Sequence, residues 1–265
     1  MRRLRNSRSP DPDELAAEGF DRSDLEGDAI GTVADEIPWL RPFGADIPGP
    51  ALAEPGSAPE PEGVRILRQA RDLAGLGRRL DAVLLLRRWL EDSPGDPAAR
   101  SHLAELLEQG GELEAALVEL NRALEVWESS VPLLVRRGGM LARMGQSAEA
   151  ERDLREAIRL GPTDPAGHFQ LGLALLRRGR AAAAADAFRE ALRLSPDHPD
   201  ALYYLGEALE AQGDLPAALR TLERTATLFP EDPRTYKLMG RLLDRMGRSE
   251  EAMAMHRKAR EASIR

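Results

Sequence analysis

The sequence predicts an all-α protein whose main part is a stack of six two-helix units. Three observations support this prediction. Positions 63–265 repeat with a fixed period of 34 residues. Within each period, apolar residues recur at helical spacing in two segments separated by a glycine. Aromatic residues make up only 4% of the 265 residues, and alanine and leucine are abundant, a composition typical of helices rather than sheets.

The period is clearest at four positions of the unit. Every unit has leucine at position 11, glycine at position 15 and alanine at position 20, and position 8 is always alanine or glycine. Six matches in six at three positions, with no insertion, exclude chance. The glycines at position 15 are Gly77, Gly111, Gly145, Gly179, Gly213 and Gly247. The predicted units are 63–96, 97–130, 131–164, 165–198, 199–232 and 233–265.

Each recurring residue has a structural reason. Glycine at position 15 ends the first helix, because it adopts a left-handed conformation at little cost. We expect the small residue at position 8 to face the alanine at position 20, so that the two helices approach closely. Glycine inside a helix costs roughly 1 kcal/mol relative to alanine, and the close contacts offset this cost. Proline at position 32 ends the second helix of four units. These are Pro94, Pro162, Pro196 and Pro230.

Residues 1–62 differ in composition from the repeats. This segment is rich in proline and has a net charge of −8, which equals the net charge of the whole chain, so that residues 63–265 are neutral. A proline-rich acidic segment cannot bury enough apolar surface to fold alone. The sequence therefore predicts a disordered N-terminal tail followed by the repeats.

The tail contains one apolar cluster, EIPWLRPFGADIP, at residues 36–48. Its side chains Ile37, Trp39, Leu40 and Phe43 are concentrated where the surrounding residues are acidic or small. Prolines keep such a segment extended and so lower the entropy lost on binding. We interpret residues 36–48 as a linear motif that docks either on a partner or in a groove of this protein. A linker without function is the alternative.

The pattern of the units resembles the tetratricopeptide repeat (TPR) family. The residues that carry the resemblance in the fifth unit are Leu205, Gly206, Leu209, Gly213, Ala218 and Pro230. The resemblance implies a right-handed superhelical solenoid of six helix-turn-helix units, whose first helices line a concave groove. It also implies a role in binding proteins or peptides, and it brings no catalytic residues.

The resemblance further implies that positions 2, 5, 6, 9, 12 and 13 of each unit face the groove. These positions hold an apolar and aromatic cluster with arginines on both sides, the usual form of a recognition site. Tyrosine and arginine are also favoured in binding hot spots. Alternatively, several of these side chains pack between helices, Leu173 and Tyr204 above all. The predicted groove residues are Arg136, Arg143, Phe169, Leu173, Leu176, Arg177, Tyr203, Tyr204, Lys237 and Arg241.

Several functions are disfavoured. The chain has no cysteine, and its four histidines occupy four different positions of the repeat, so no metal site, cofactor site or catalytic site is predicted. A neutral repeat domain with an acidic tail argues against nucleic-acid binding. No apolar run is long enough to span a membrane, and no secretory signal is present, so we expect a cytoplasmic protein. The composition suggests a bacterial source.

The sequence thus predicts a non-catalytic scaffold or adaptor that binds a peptide segment of a partner protein, gated by its own tail. The alternative is a structural or assembly subunit of a larger multiprotein machine, tethered through the tail. In the C-terminal helix, His256, Arg257 and Lys258 are polar, so that the helix caps the solenoid itself. Alternatively, Met253 and Met255 offer a surface for a partner or for self-association.

Overall fold

The structure, a computed structural model, describes residues 60–264. The predicted tail and the motif at 36–48 therefore lie outside the described residues, apart from the last three residues of the tail. Within residues 60–264 there are twelve α-helices and no β-strand, which confirms the predicted all-α fold. In chain order the helices are α1 (Glu62–Gly75), α2 (Arg79–Asp92), α3 (Pro97–Gln109), α4 (Leu113–Val126), α5 (Val131–Arg143), α6 (Ser147–Leu160), α7 (Pro165–Arg177), α8 (Ala181–Leu194), α9 (Pro199–Gln212), α10 (Leu215–Leu228), α11 (Pro233–Arg245) and α12 (Ser249–Ala262).

The helices form six pairs, and a glycine separates the two helices of every pair. All six of these glycines have a positive φ, between 71° and 87°. Among the described residues no other residue has a positive φ. The predicted role of position 15 is confirmed. The glycine adopts the left-handed conformation of the turn, in which a residue with a side chain would be strained.

Four of the first helices begin with a short X-Pro sequence. Asp96, Asp164, His198 and Asp232 each precede a proline, and each accepts a hydrogen bond at the helix N-terminus from a backbone N–H. Proline suits the first helical position because the N–H that it lacks has no partner there. The start of the first helix is therefore set locally in these units.

The small residue at position 8 lies against the side chain at position 24 of the second helix. A Cβ atom on Gly206 would lie 2.8 Å from both Cγ and Cδ2 of Leu222, which occupies position 24. The same relationship links Gly172 to Phe188. A Cβ atom on Gly138 would also lie 3.3 Å from the backbone oxygen of Ala150, so position 8 lies beside the alanine at position 20 in this unit, as predicted. That alanine is fully buried in each unit, but the larger side chain at position 24 fills the space beside the glycine.

The pairs stack in chain order, and each helix contacts its neighbours in sequence. Buried alanines and leucines of successive pairs form three apolar clusters that follow one another along the chain. One pair alone could not bury its apolar face, so stacking supplies the core. The described residues therefore form an all-α solenoid, whereas its right-handed sense stays a prediction.

Candidate functional site

The first helices of the six pairs lie side by side and form one surface, here called the first-helix face. The helices α1 and α3 are in contact, as are α5 and α7, α7 and α9, and α9 and α11. Ion pairs connect α3 with α5 and α9 with α11 across neighbouring repeats. The face includes several of the residues that the resemblance placed in a groove.

In repeats 1 to 3 several charged side chains of this face are paired with one another. Glu108 accepts a hydrogen bond from Nη1 of Arg143 at 2.5 Å, and Glu105 accepts one from Arg136 at 3.4 Å. One step earlier, the guanidinium of Arg71 donates to Nε2 of His102. Burial, followed by the charge of Arg71, lowers the pKa of His102. This part of the face satisfies its own charges.

A second paired region lies between repeats 5 and 6. The carboxylate of Glu210 accepts from Arg241 at 2.6 and 3.1 Å and from Arg245 at 2.8 Å. Burial alone would raise the pKa of Glu210, but the hydrogen bonds from the two arginines outweigh burial and lower it. Asp200 likewise accepts from Arg234 at 3.1 Å. Arg241, a predicted groove residue, is thus engaged in an ion pair.

The predicted aromatic cluster divides into a buried part and a half-buried part. Phe169 is fully buried and Leu173 is 5% exposed, which corrects their predicted place on the groove surface. The ring of Phe169 lies 5.0 Å from that of His198 and 5.9 Å from that of Phe188, so it belongs to the core. Leu176 is half-buried and packs against the same core.

Tyr203 and Tyr204 are the half-buried part of the cluster. Their rings meet edge to face at 5.2 Å, and the guanidinium of Arg234 lies 5.0 Å from the ring of Tyr203. Burial raises the pKa of Tyr203 to about 12, and Glu207 acts in the same direction. Neither hydroxyl has a hydrogen bond with a described residue, although no buried polar atom in this region lacks a partner. Both hydroxyls are therefore accessible to solvent.

Four further polar side chains of repeats 4 to 6 also lack a hydrogen-bond partner within residues 60–264. They form neither a hydrogen bond nor an ion pair with any described residue: Gln170, Arg177, Glu207 and Lys237. Partial burial, assisted by the charge of Arg143, lowers the pKa of Arg177. Burial raises the pKa of Glu207. The two tyrosines and these four residues, here called the open segment, combine aromatic surface with unused donors and acceptors.

The structure therefore separates the predicted groove residues into three groups. Arg177, Tyr203, Tyr204 and Lys237 belong to the open segment. Arg136, Arg143 and Arg241 are held by glutamates of the preceding repeat, and the remaining three pack in or against the core. The sequence did contain a signal for the paired arginines. In two junctions a glutamate at position 12 precedes an arginine at position 13 of the next unit, a separation of 35 residues.

Among residues 60–264 no group of three or more histidine, aspartate or glutamate side chains is arranged to hold a metal ion. A search of the same residues for a helix long and apolar enough to cross a membrane found none.

Stacked helix pairs with a side-by-side array of first helices define the class of helical repeat proteins. Family models described as Tetratricopeptide repeat match residues 73–126 and 175–242 in one case and 140–199 in the other. Together these matches cover more than half of the chain, and the chain belongs to the TPR family. A search of curated proteins found no match.

Several solved structures share the fold. The crystal structure of MamA is 24% identical, with a TM-score of 0.55, and the match covers 61% of this chain and 95% of that chain. Pseudomonas aeruginosa pilF is 23% identical, with a TM-score of 0.63 and coverage of 72% and 87%. YrrB, described as a TPR protein with an unusual peptide-binding site, is 22% identical, with a TM-score of 0.52 and coverage of 67% and 91%. At these identities the likeness shows the fold alone.

Proposed function

We propose that this protein is a non-catalytic scaffold that binds an extended or helical peptide segment of a partner protein in the concave groove formed by its first helices. The open segment in repeats 4 to 6 is the proposed contact site. TPR repeats generally act as interaction modules, and the peptide-binding site named for YrrB is consistent with this role.

One observation carries the proposal: the contrast between the open segment and the two paired regions of the first-helix face. In repeats 1 to 3 the guanidinium groups of Arg71, Arg136 and Arg143 are used by neighbouring side chains, and a ligand would have to break those contacts. In repeats 4 to 6 the two tyrosines offer apolar area, and Gln170, Arg177 and Lys237 offer unused donors. Half-buried tyrosines beside a free arginine are the residues that contribute most to binding in protein interfaces.

The test is selection of peptides from a random phage-displayed library on the full chain, followed by calorimetric titration of the enriched peptides. Arg177→Ala is expected to weaken binding about tenfold, because it removes a free guanidinium from the contact. The matched control is Arg220→Ala, which removes an exposed arginine without an ion pair from α10. Peptides that bind both variants as tightly as the unchanged chain would contradict the proposed site.

We also propose that residues 36–48 compete with the partner for this site. Charge supports this part of the proposal, because residues 1–62 carry a net charge of −8 and Arg177 and Lys237 are unpaired cations. A synthetic peptide of residues 36–48 is expected to displace a selected peptide from the full chain. A peptide of the same composition in scrambled order is the control. Equal displacement by both would exclude gating through this motif.

A further inference from the structure

A second exposed feature lies outside the first-helix face, on the first repeat. Leu76, Leu80 and Leu84 are exposed by 74%, 66% and 63%. Leu80 and Leu84 are one turn apart in α2, and Leu76 follows the end of α1. The opposite side of α2 carries the buried residues Ala82, Leu86 and others that face the core. The three leucines, here called the leucine stripe, therefore point away from the core.

Comparison among the six units shows that the stripe is peculiar to repeat 1. The position of Leu80 is occupied by Glu114, Ala148, Ala182, Pro216 and Glu250 in the other units. The position of Leu84 is occupied by Val118, Arg152, Asp186, Arg220 and Ala254. The repeat pattern does not require leucine at either position. Exposed apolar side chains in a row mark an interaction surface rather than a packing need of the fold.

One acidic and one basic side chain lie beside the leucine stripe, on either side of Leu84 along the helix. Asp81 and Arg88 are seven residues apart and flank Leu84 on the same side of α2. When two copies of α2 pack antiparallel about a two-fold axis at Leu84, Asp81 of one copy lies within about 1.5 Å, one residue along the helix axis, of the level of Arg88 of the other. Arg88 has no ion pair among the described residues, whereas Asp81 pairs only with the exposed Arg78. Leu80 of one copy lies equally near the level of Arg87 of the other and can cover its aliphatic stem.

From this geometry we propose that the leucine stripe binds a second copy of the chain in an antiparallel, two-fold symmetric dimer. A two-fold interface must be self-complementary, and the stripe with its flanking charges meets this condition. A contact between two single helices is small for a specific interface, so we expect a weak dimer that dissociates on dilution. The proposal does not depend on the peptide site.

The first test is sedimentation equilibrium of the full chain over a wide concentration range. Leu84→Arg and Leu80→Glu are each expected to raise the dissociation constant at least about tenfold. Both changes introduce residues that other units carry at the same position, so the fold tolerates them, and circular dichroism checks this. The matched control is Met253→Glu, which removes a methionine of α12 that is 64% exposed.

The Met253→Glu control also shows whether self-association uses the first repeat or the C-terminal helix. If Met253→Glu abolishes the dimer and the α2 variants do not, self-association runs through the C-terminal helix and the proposal fails. A chain that stays monomeric at every concentration also overturns the proposal.

The second test addresses the antiparallel arrangement directly. Asp81→Arg and Arg88→Asp each place like charges at both symmetric contacts, so each variant alone is expected to dimerise more weakly. Mixing the two variants restores opposite charges at both contacts, and the mixed dimer should dominate in native mass spectrometry. A statistical mixture of dimers would overturn the proposed arrangement.

Discussion

Gly138 in α5 lies directly against Leu154 in α6. A Cβ atom on Gly138 would stand 2.6 Å from Cγ of Leu154 and 2.9 Å from its Cδ2. Leu154 is fully buried, so it has no room to move away. The glycine is therefore needed for the close approach of the two helices, although it weakens α5 as an isolated helix.

The adjacent residue provides a matched comparison. Gly138→Ala is expected to lower the free energy of unfolding by about 1–2 kcal/mol, because overpacking outweighs the gain in helix propensity. Gly139→Ala in the same helix meets only the end of the flexible Gln170 side chain and should be neutral or stabilising by up to about 1 kcal/mol. Urea denaturation of both variants measures the difference. Equal effects would contradict the assigned contact.

Two glutamates of α9 allow a test of the ion pairs between repeats. Glu210→Gln removes the charge that accepts hydrogen bonds from Arg241 and Arg245, and we expect a loss of about 1–2 kcal/mol, since both arginines are about half exposed. Glu207→Gln, three residues earlier, removes a carboxylate without an ion pair and should change stability little. The measurement is the urea midpoint of each variant. A greater loss for Glu207→Gln would refute this account.

The buried position of Phe169 predicts that it stabilises the fold. Phe169→Ala is expected to cost about 3–5 kcal/mol, because it leaves a cavity beside Phe188 and His198. Tyr203→Ala should cost less, about 1–2 kcal/mol, since the ring of Tyr203 is only half-buried. Thermal unfolding compares the two variants. A loss of stability for Phe169→Ala no larger than that for Tyr203→Ala would contradict the buried position of Phe169.

His198 makes stability depend on pH. Its Nδ1 accepts a hydrogen bond from the N–H of Ala201 at 3.2 Å, which a protonated ring cannot do. Burial lowers the pKa of His198, and Asp200 opposes this shift. Between the lowered folded pKa and the unfolded value of about 6.5, the unfolded chain binds more protons. This contribution to stability is therefore complete above that window and is lost as the pH falls through it.

The variant His198→Asn keeps an uncharged capping side chain and removes the titration. Its free energy of unfolding should fall less than that of the unchanged chain between neutral pH and about pH 5. Burial also lowers the pKa of His102 and His168, so the free energy of unfolding of the variant should still depend partly on pH. Urea denaturation across this pH range measures both slopes. Identical slopes would exclude His198 as a contributor.

The sequence alone was sufficient for the repeating architecture. The period, the two helices of each unit and the turn at each position-15 glycine follow from local rules that act in every unit. The Asp-Pro starts of α3, α7 and α11 were an available local signal of the same kind. Repetition makes such signals reliable, because six copies of one weak preference agree.

Only the tertiary structure decided which groove residues are free. Phe169 and Tyr203 occupy the same position of neighbouring units, yet the first is fully buried and the second half-buried. Arg143 and Arg177 also share a position, but only Arg143 has Glu108 in the preceding repeat to pair with. In α4, Val126 ends the helix at the usual place although Glu128 replaces the proline. Burial and pairing depend on side chains one repeat away, and a pattern within one unit does not contain that information.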